Sequence, residues 1–178
     1  PRYAAAYAGC SSAYGQMYQW FSREEKYRTK AQELSFKALM YDSNLPEAYA
    51  AMGLSYFIWG KFEEAAASSR KAIELDPDDF IAYWTLGRIH FSSGEHEQAL
   101  AQFRRVIEIK PGFYAAYADL AQTYERLGRL EEMRAAEKTL VELLPNYLLQ
   151  NPDDARARIF FAATLARLGR KDEALREG

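Results

Sequence analysis

The chain has 178 residues, 49% of them apolar and 27% charged, and carries a formal charge of −2 at neutral pH. That composition belongs to a folded chain with a core and excludes a disordered tail, while the near balance of charge argues against nucleic acid, which requires a clustered basic surface. No apolar run approaches the ~18 residues that cross a bilayer, and a lone cysteine, Cys10, excludes an intrachain disulfide framework.

Taken in order, Tyr7, Cys10, Ser11 and Tyr14 have helical spacing and predict a helix over about Ala4 to Trp20. Ser22, followed by Glu24 and Glu25, is the expected cap of a second helix. Asn44 and Pro46 are expected to end it. Tyr49, Met52, Gly53 and Tyr56 mark a third helix with one buried stripe. Trp59-Gly60-Lys61 turns the chain, and Phe62, Ala65, Ser69 and Ala72 carry it back to Asp76-Pro77-Asp78-Asp79. Residues 80–113 repeat this course, with inner turn Ser93-Gly94 and outer turn Lys110-Pro111-Gly112. Tyr117, Leu120, Ala121 and Tyr124 begin the next pair. There Pro145 is followed seven residues later by a second terminator, Pro152. Either the helix is lengthened through Pro145, the favoured alternative, or Tyr147-Leu148-Leu149 folds back as a short loop. Phe161, Ala162, Leu165 and Gly169 open a last pair whose second helix has only begun at Gly178. With no initiator methionine either, the chain looks like a portion of a longer protein.

The organising feature is a 34-residue pattern written twice without a gap: Tyr49, Met52, Gly53, Gly60, Ala65, Ala72 and Pro77 fall at the offsets of Tyr83, Leu86, Gly87, Gly94, Ala99, Val106 and Pro111. Residues Ser11, Gly53, Gly87, Ala121 and Ala162 share one small column, where two helix backbones must approach closely. Cys10 shares the apolar column of Met52, Leu86, Leu120 and Phe161, and is expected in the core. A period of this length built from helix pairs is that of a stacked repeat. These columns closely resemble the tetratricopeptide repeat. The resemblance implies an all-α, right-handed solenoid of antiparallel helix pairs. It covers residues 1–178 as one repeat domain, with repeats at about 4–45, 46–79, 80–113, 114–154 and 155–178, the first lengthened by about eight residues and the last truncated.

Catalytic chemistry has little support. His90 and His96 lie six apart, off the i, i+4 spacing of helical metal ligands, in columns that hold Tyr56 and Phe62 in the preceding copy. Gly53 with Gly60-Lys61 fails as a phosphate loop in spacing and in its missing hydroxyl residue. The pairs Asp78-Asp79 and Asp153-Asp154 lack the alternating oxygens of a calcium loop and read as helix caps. No enzyme activity, cofactor or metal is expected.

A second apolar stripe lies roughly 80 to 180° around the first helices from Tyr49. In relatives of the tetratricopeptide kind these offsets line the concave groove. The resemblance then implies a groove with an apolar middle of Leu54, Phe57, Ile58, Trp84 and Phe91, flanked by Arg88, Gln122, Arg126 and Arg167. Its expected partner is a protein or peptide with apolar anchors and acidic groups. The competing reading packs this stripe against neighbouring helices. The lysine-asparagine pair of chaperone-binding members is absent from the corresponding offsets, Ala8 and Ser12, Ala50 and Leu54, Trp84 and Arg88, Ala118 and Gln122. The function expected is a non-catalytic interaction scaffold in the cytoplasm, without nucleic-acid or membrane partners. The alternative is a self-association module, forming a homo-oligomer, of a larger protein; the phrase Ala4 to Gly9 is similar to repeat regions of bacterial signalling proteins.

Overall fold

A computed structural model describes residues 2–177, and every regular element among them is helical. The ten helices are α1 (Arg2–Trp20), α2 (Glu25–Tyr41), α3 (Pro46–Ile58), α4 (Phe62–Leu75), α5 (Phe80–Ser92), α6 (His96–Ile109), α7 (Tyr114–Arg126), α8 (Leu130–Gln150), α9 (Ala155–Arg167) and α10 (Lys171–Glu177). Four inner turns place a glycine in the left-handed region, Gly60, Gly94, Gly128 and Gly169, with φ between 71° and 81°. Only a residue without Cβ does this at no steric cost, so the 34-residue period is punctuated by glycine. The outer turns end in carboxylate caps: Asp79 accepts from the Ala82 amide and Asp154 from the Ala157 amide, both at 2.9 Å.

The chain divides into two compact units, residues 1–95 and 96–178. In the first, α1 packs on α2 and α3, and α3 on α4 and α5. The expected close approach is seen at Gly53, where an added Cβ would lie 2.5 Å from the Ser69 hydroxyl and 3.2 Å from the Ala65 carbonyl oxygen. Ser11 holds the same column in α1 and donates to the Ala31 carbonyl of α2 at 2.7 Å. In the second unit, α7 packs on α6 and α8, and α9 on α8 and α10.

Three local expectations are corrected. Cys10 is exposed, although Met52, Leu86, Leu120 and Phe161 in its column are all buried. That column is covered by the second helix of the preceding pair, as Leu86 is by Ala65 and Ala66 of α4, and α1 has no such neighbour among the described residues. Ser22 does not cap α2: its hydroxyl donates to the Glu24 carboxylate, and Glu24 occupies the cap without a side-chain bond. The stop after α2 is made by Asp42, whose carboxylate accepts from the Asn44 amide at 2.9 Å, with Pro46 opening α3.

Both lengthenings are helical. The extra residues of the first repeat are shared between α1, of 19 residues, and α2, of 17, against 13 or 14 in α3 to α7. In the fourth repeat α8 runs on through Pro145 to Gln150. Leu144 and Leu148 are buried beyond the ordinary end of a second helix, so apolar contact offsets the bond that proline removes.

Candidate protein-binding surface

Six of the nine groove candidates lie in the first unit, where the added turn of α1 decides their fate. Gly15 lets α1 lie against α3: a Cβ there would stand 3.3 Å from Leu54 Cδ2 and 3.9 Å from Ile58 Cδ1. The chain then brings Gln19 and Trp20 across the face of α3 and α5. Trp20 stacks on Trp84, with ring centroids 6.4 Å apart. The Arg88 guanidinium sits 4.5 Å from the Phe57 ring centroid, 4.8 Å from that of Trp84 and 5.2 Å from that of Trp20, and donates to Gln19 Oε1. Leu54 and Trp84 are each only 1% exposed. They are core residues, which corrects the expectation of an open apolar middle. Phe57, Ile58, Arg88 and Phe91 remain half-buried. The sequence signals that could have revealed this are the lengthened first helix itself and the tryptophan at its end.

The same first-helix face is open at its other end. A cavity of about 420 Å³ lies between α1, α3 and the turn into α5, walled by Ala5, Ala8, Gly9, Ser12, Ala50 and Ile81. Ala8, Ser12 and Ala50 hold the offsets that the resemblance assigns to a concave groove, and their small side chains leave the space that Leu54 and Trp84 fill one helical turn away. The rim is acidic, formed by Glu47, Asp76, Asp78 and Asp79. Burial pushes the Asp79 carboxyl up to about 6. The bond from the Ala82 amide pulls it down, and neighbouring Asp76 and Glu47 push it further up. In the sequence these aspartates read only as helix-end residues, and the convergence of the four carboxylates depends on α3 and α5 lying side by side.

The three candidates of the second unit do different work. Gln122 and Arg126 are exposed on α7. Arg167 Nε contacts Glu137 Oε1 at 2.6 Å. Glu137, at the offset of Ser69 and Phe103, is 2% exposed, so Arg167 satisfies a buried carboxylate. A cavity of about 450 Å³ beside this pair is walled by Met133, Arg134 and Leu168. The lengthened α8 brings Tyr147 against Tyr114, and both phenols donate to Asp154, at 2.9 and 3.3 Å. Burial and the bond to Asp154 push the Tyr147 phenol up to about 12.

His90 Nδ1 pairs with Glu95 in the first unit. Among the described residues no three of His, Cys, Asp and Glu come together to hold a metal ion, and no helix is long and apolar enough to cross a membrane.

Tetratricopeptide repeat models match residues 50–113, 90–147 and 155–177, which with the observed helix pairs decides the family. The chain belongs to the tetratricopeptide repeat family. Its fold class is the all-α helix-pair solenoid of that family, and tetratricopeptide chains are scaffolds for protein–protein interaction. None of the curated proteins matches the sequence. Among solved structures the chain is similar to TTC0263, a thermophilic tetratricopeptide protein of Thermus thermophilus (TM-score 0.68, 19% identity, covering 96% of this chain and 87% of that one). It is also similar to MamA (TM-score 0.60, 23% identity, 92% and 89% covered) and to a MamA fragment of Desulfovibrio magneticus RS-1 (TM-score 0.59, 19% identity, 99% and 92% covered). Likenesses at this identity establish the fold alone.

Proposed function

We propose that this tetratricopeptide chain binds a segment of a partner protein in the trough between α1, α3 and α5, and that the segment carries lysine or arginine beside small apolar residues. The observation that carries this reading is the pairing of an open, alanine-walled cavity with four carboxylates on its rim and no cation among its lining residues. An apolar side chain of the partner would displace water from the alanine walls, and a flanking cation would sit among Glu47, Asp76 and Asp78. The charge of the partner is therefore opposite to the one the arginines implied. In this reading Arg88 is part of the wall that closes the other end. No step of it involves catalysis.

Chemical-shift mapping tests the proposal, with a short peptide of alternating alanine and lysine as probe and its glutamate counterpart beside it. Shifts concentrated at Gly9, Ser12 and Asp78 with the lysine peptide, and reduced in an Asp76→Asn, Asp78→Asn double variant, are expected. Shifts scattered over the surface, or equal for the two peptides, would overturn it.

A further inference from the structure

The outward face of α1 is unlike any other helix surface in the chain. Tyr3, Ala6, Cys10, Ala13 and Met17 recur at alternating steps of three and four, and all five are exposed, Tyr3 by 72%. After Arg2 the helix contains no charged residue. The exposed face of α2, by contrast, carries the Lys30–Glu33–Lys37 ion pairs, and α4 carries Lys71–Glu74. A solvated helix face is normally polar, and an uncharged one with coiled-coil spacing is a packing surface. The repeat itself shows how these columns behave when covered: Ala48, Ala82, Ala116 and Ala157, at the offset of Ala6, are all fully buried.

We propose that this stripe is the contact between two copies of the chain, whose α1 helices pack antiparallel about a twofold axis at Cys10. The order large, alanine, cysteine, alanine, large reads the same from both ends. Reversing one copy sets Tyr3 against Met17, Ala6 against Ala13 and Cys10 against Cys10. An isologous interface needs this self-complementarity, whereas an unrelated helix would not require it. The alanines and cysteine permit a close crossing of about 8 Å between axes, with the large residues closing each end. Tyr41 of α2 stacks on Tyr7 and stands beside Tyr3, which widens the apolar surface. The absence of charge on the stripe means that pairing it with itself brings no like charges together.

Sedimentation of the 178-residue chain over rising concentration tests this, together with oxidation by diamide. The expected mass is twice that of the monomer and independent of salt, and oxidation should give a covalent dimer through Cys10. Cys10→Ser should abolish the covalent product and keep the mass doubled. Ala13→Glu and, separately, Ala6→Glu are exposed positions that the monomer tolerates. Each should weaken association at least ~100-fold by burying unpaired charge, with helical dichroism unchanged. A wild-type chain that stays monomeric at all concentrations would overturn the proposal. So would either glutamate variant that dimerises as well as wild type.

Discussion

The two ends of one first-helix face in the first unit have opposite fates. At one end Leu54 and Trp84 are buried beneath Trp20 and Arg88; one turn earlier, Ala8 and Ala50 leave a cavity edged by carboxylates. Both ends occupy the same repeat offsets, so the repeat architecture does not choose between them. The choice is made by side-chain size and by the added turn of α1, which Gly15 allows to lie on Leu54. A groove position in a helix-pair repeat is thus a place where surface can be exposed, and local residues decide whether it is.

The sharpest way to break this comparison is Trp84→Ala. If the filled end is core, the substitution should cost about 3–5 kcal/mol in a denaturant titration by removing a buried aromatic from its stack. A loss below about 1 kcal/mol would mean that Trp84 is a surface contact after all. Gly53→Ala should follow, with a net loss of about 1–2 kcal/mol, because contact with Ser69 and the Ala65 backbone outweighs the better helix propensity of alanine. Thermal melts of the two variants read the order directly.

Most of this fold was legible in the sequence, and the reason is periodicity. Gly53, Gly60 and Ala65 recur because each repeat solves the same packing problem, so their columns report burial without coordinates. The site was less legible because it depends on departures from the period. Nothing in the spacing of Gln19 and Trp20 says that they cross α3 and α5, and nothing in Asp76, Asp78 and Glu47 as helix-end residues says that they share one rim. Cys10 departs from its column for a related reason, since a column predicts burial only where a preceding helix covers it. The lengthening through Pro145 was readable as helix, but its use was not: that Tyr147 reaches Asp154 follows from the packing of α8 on α7 and α9.

The acidic end sharpens the comparison through pH. The folded-state pKa of Asp79 lies near 6, above its ordinary value of 3.8. The folded chain therefore holds a proton that the unfolded chain releases between these values, and Asp79 contributes stability that is fully present below about pH 4 and lost as pH rises through 6. Replacing it as Asp79→Asn, which keeps a capping oxygen, should flatten the pH dependence of unfolding in this window by up to about 2 kcal/mol. An unchanged slope would place the titration elsewhere. Peptide binding should respond in the opposite sense, with a modest fall in affinity for the lysine probe as pH drops below 6 and the rim loses charge.

The most direct test of the account is the ratio of affinities for the lysine and glutamate peptides, measured by calorimetry on the wild-type chain and on Gly9→Trp. Gly9 has open space where a side chain would begin, so tryptophan can enter the mouth of the trough without disturbing the helix. The account predicts a preference of about tenfold or more for lysine, lost together with binding in Gly9→Trp while stability holds. Equal affinities, a preference for glutamate, or undiminished binding by Gly9→Trp would contradict it.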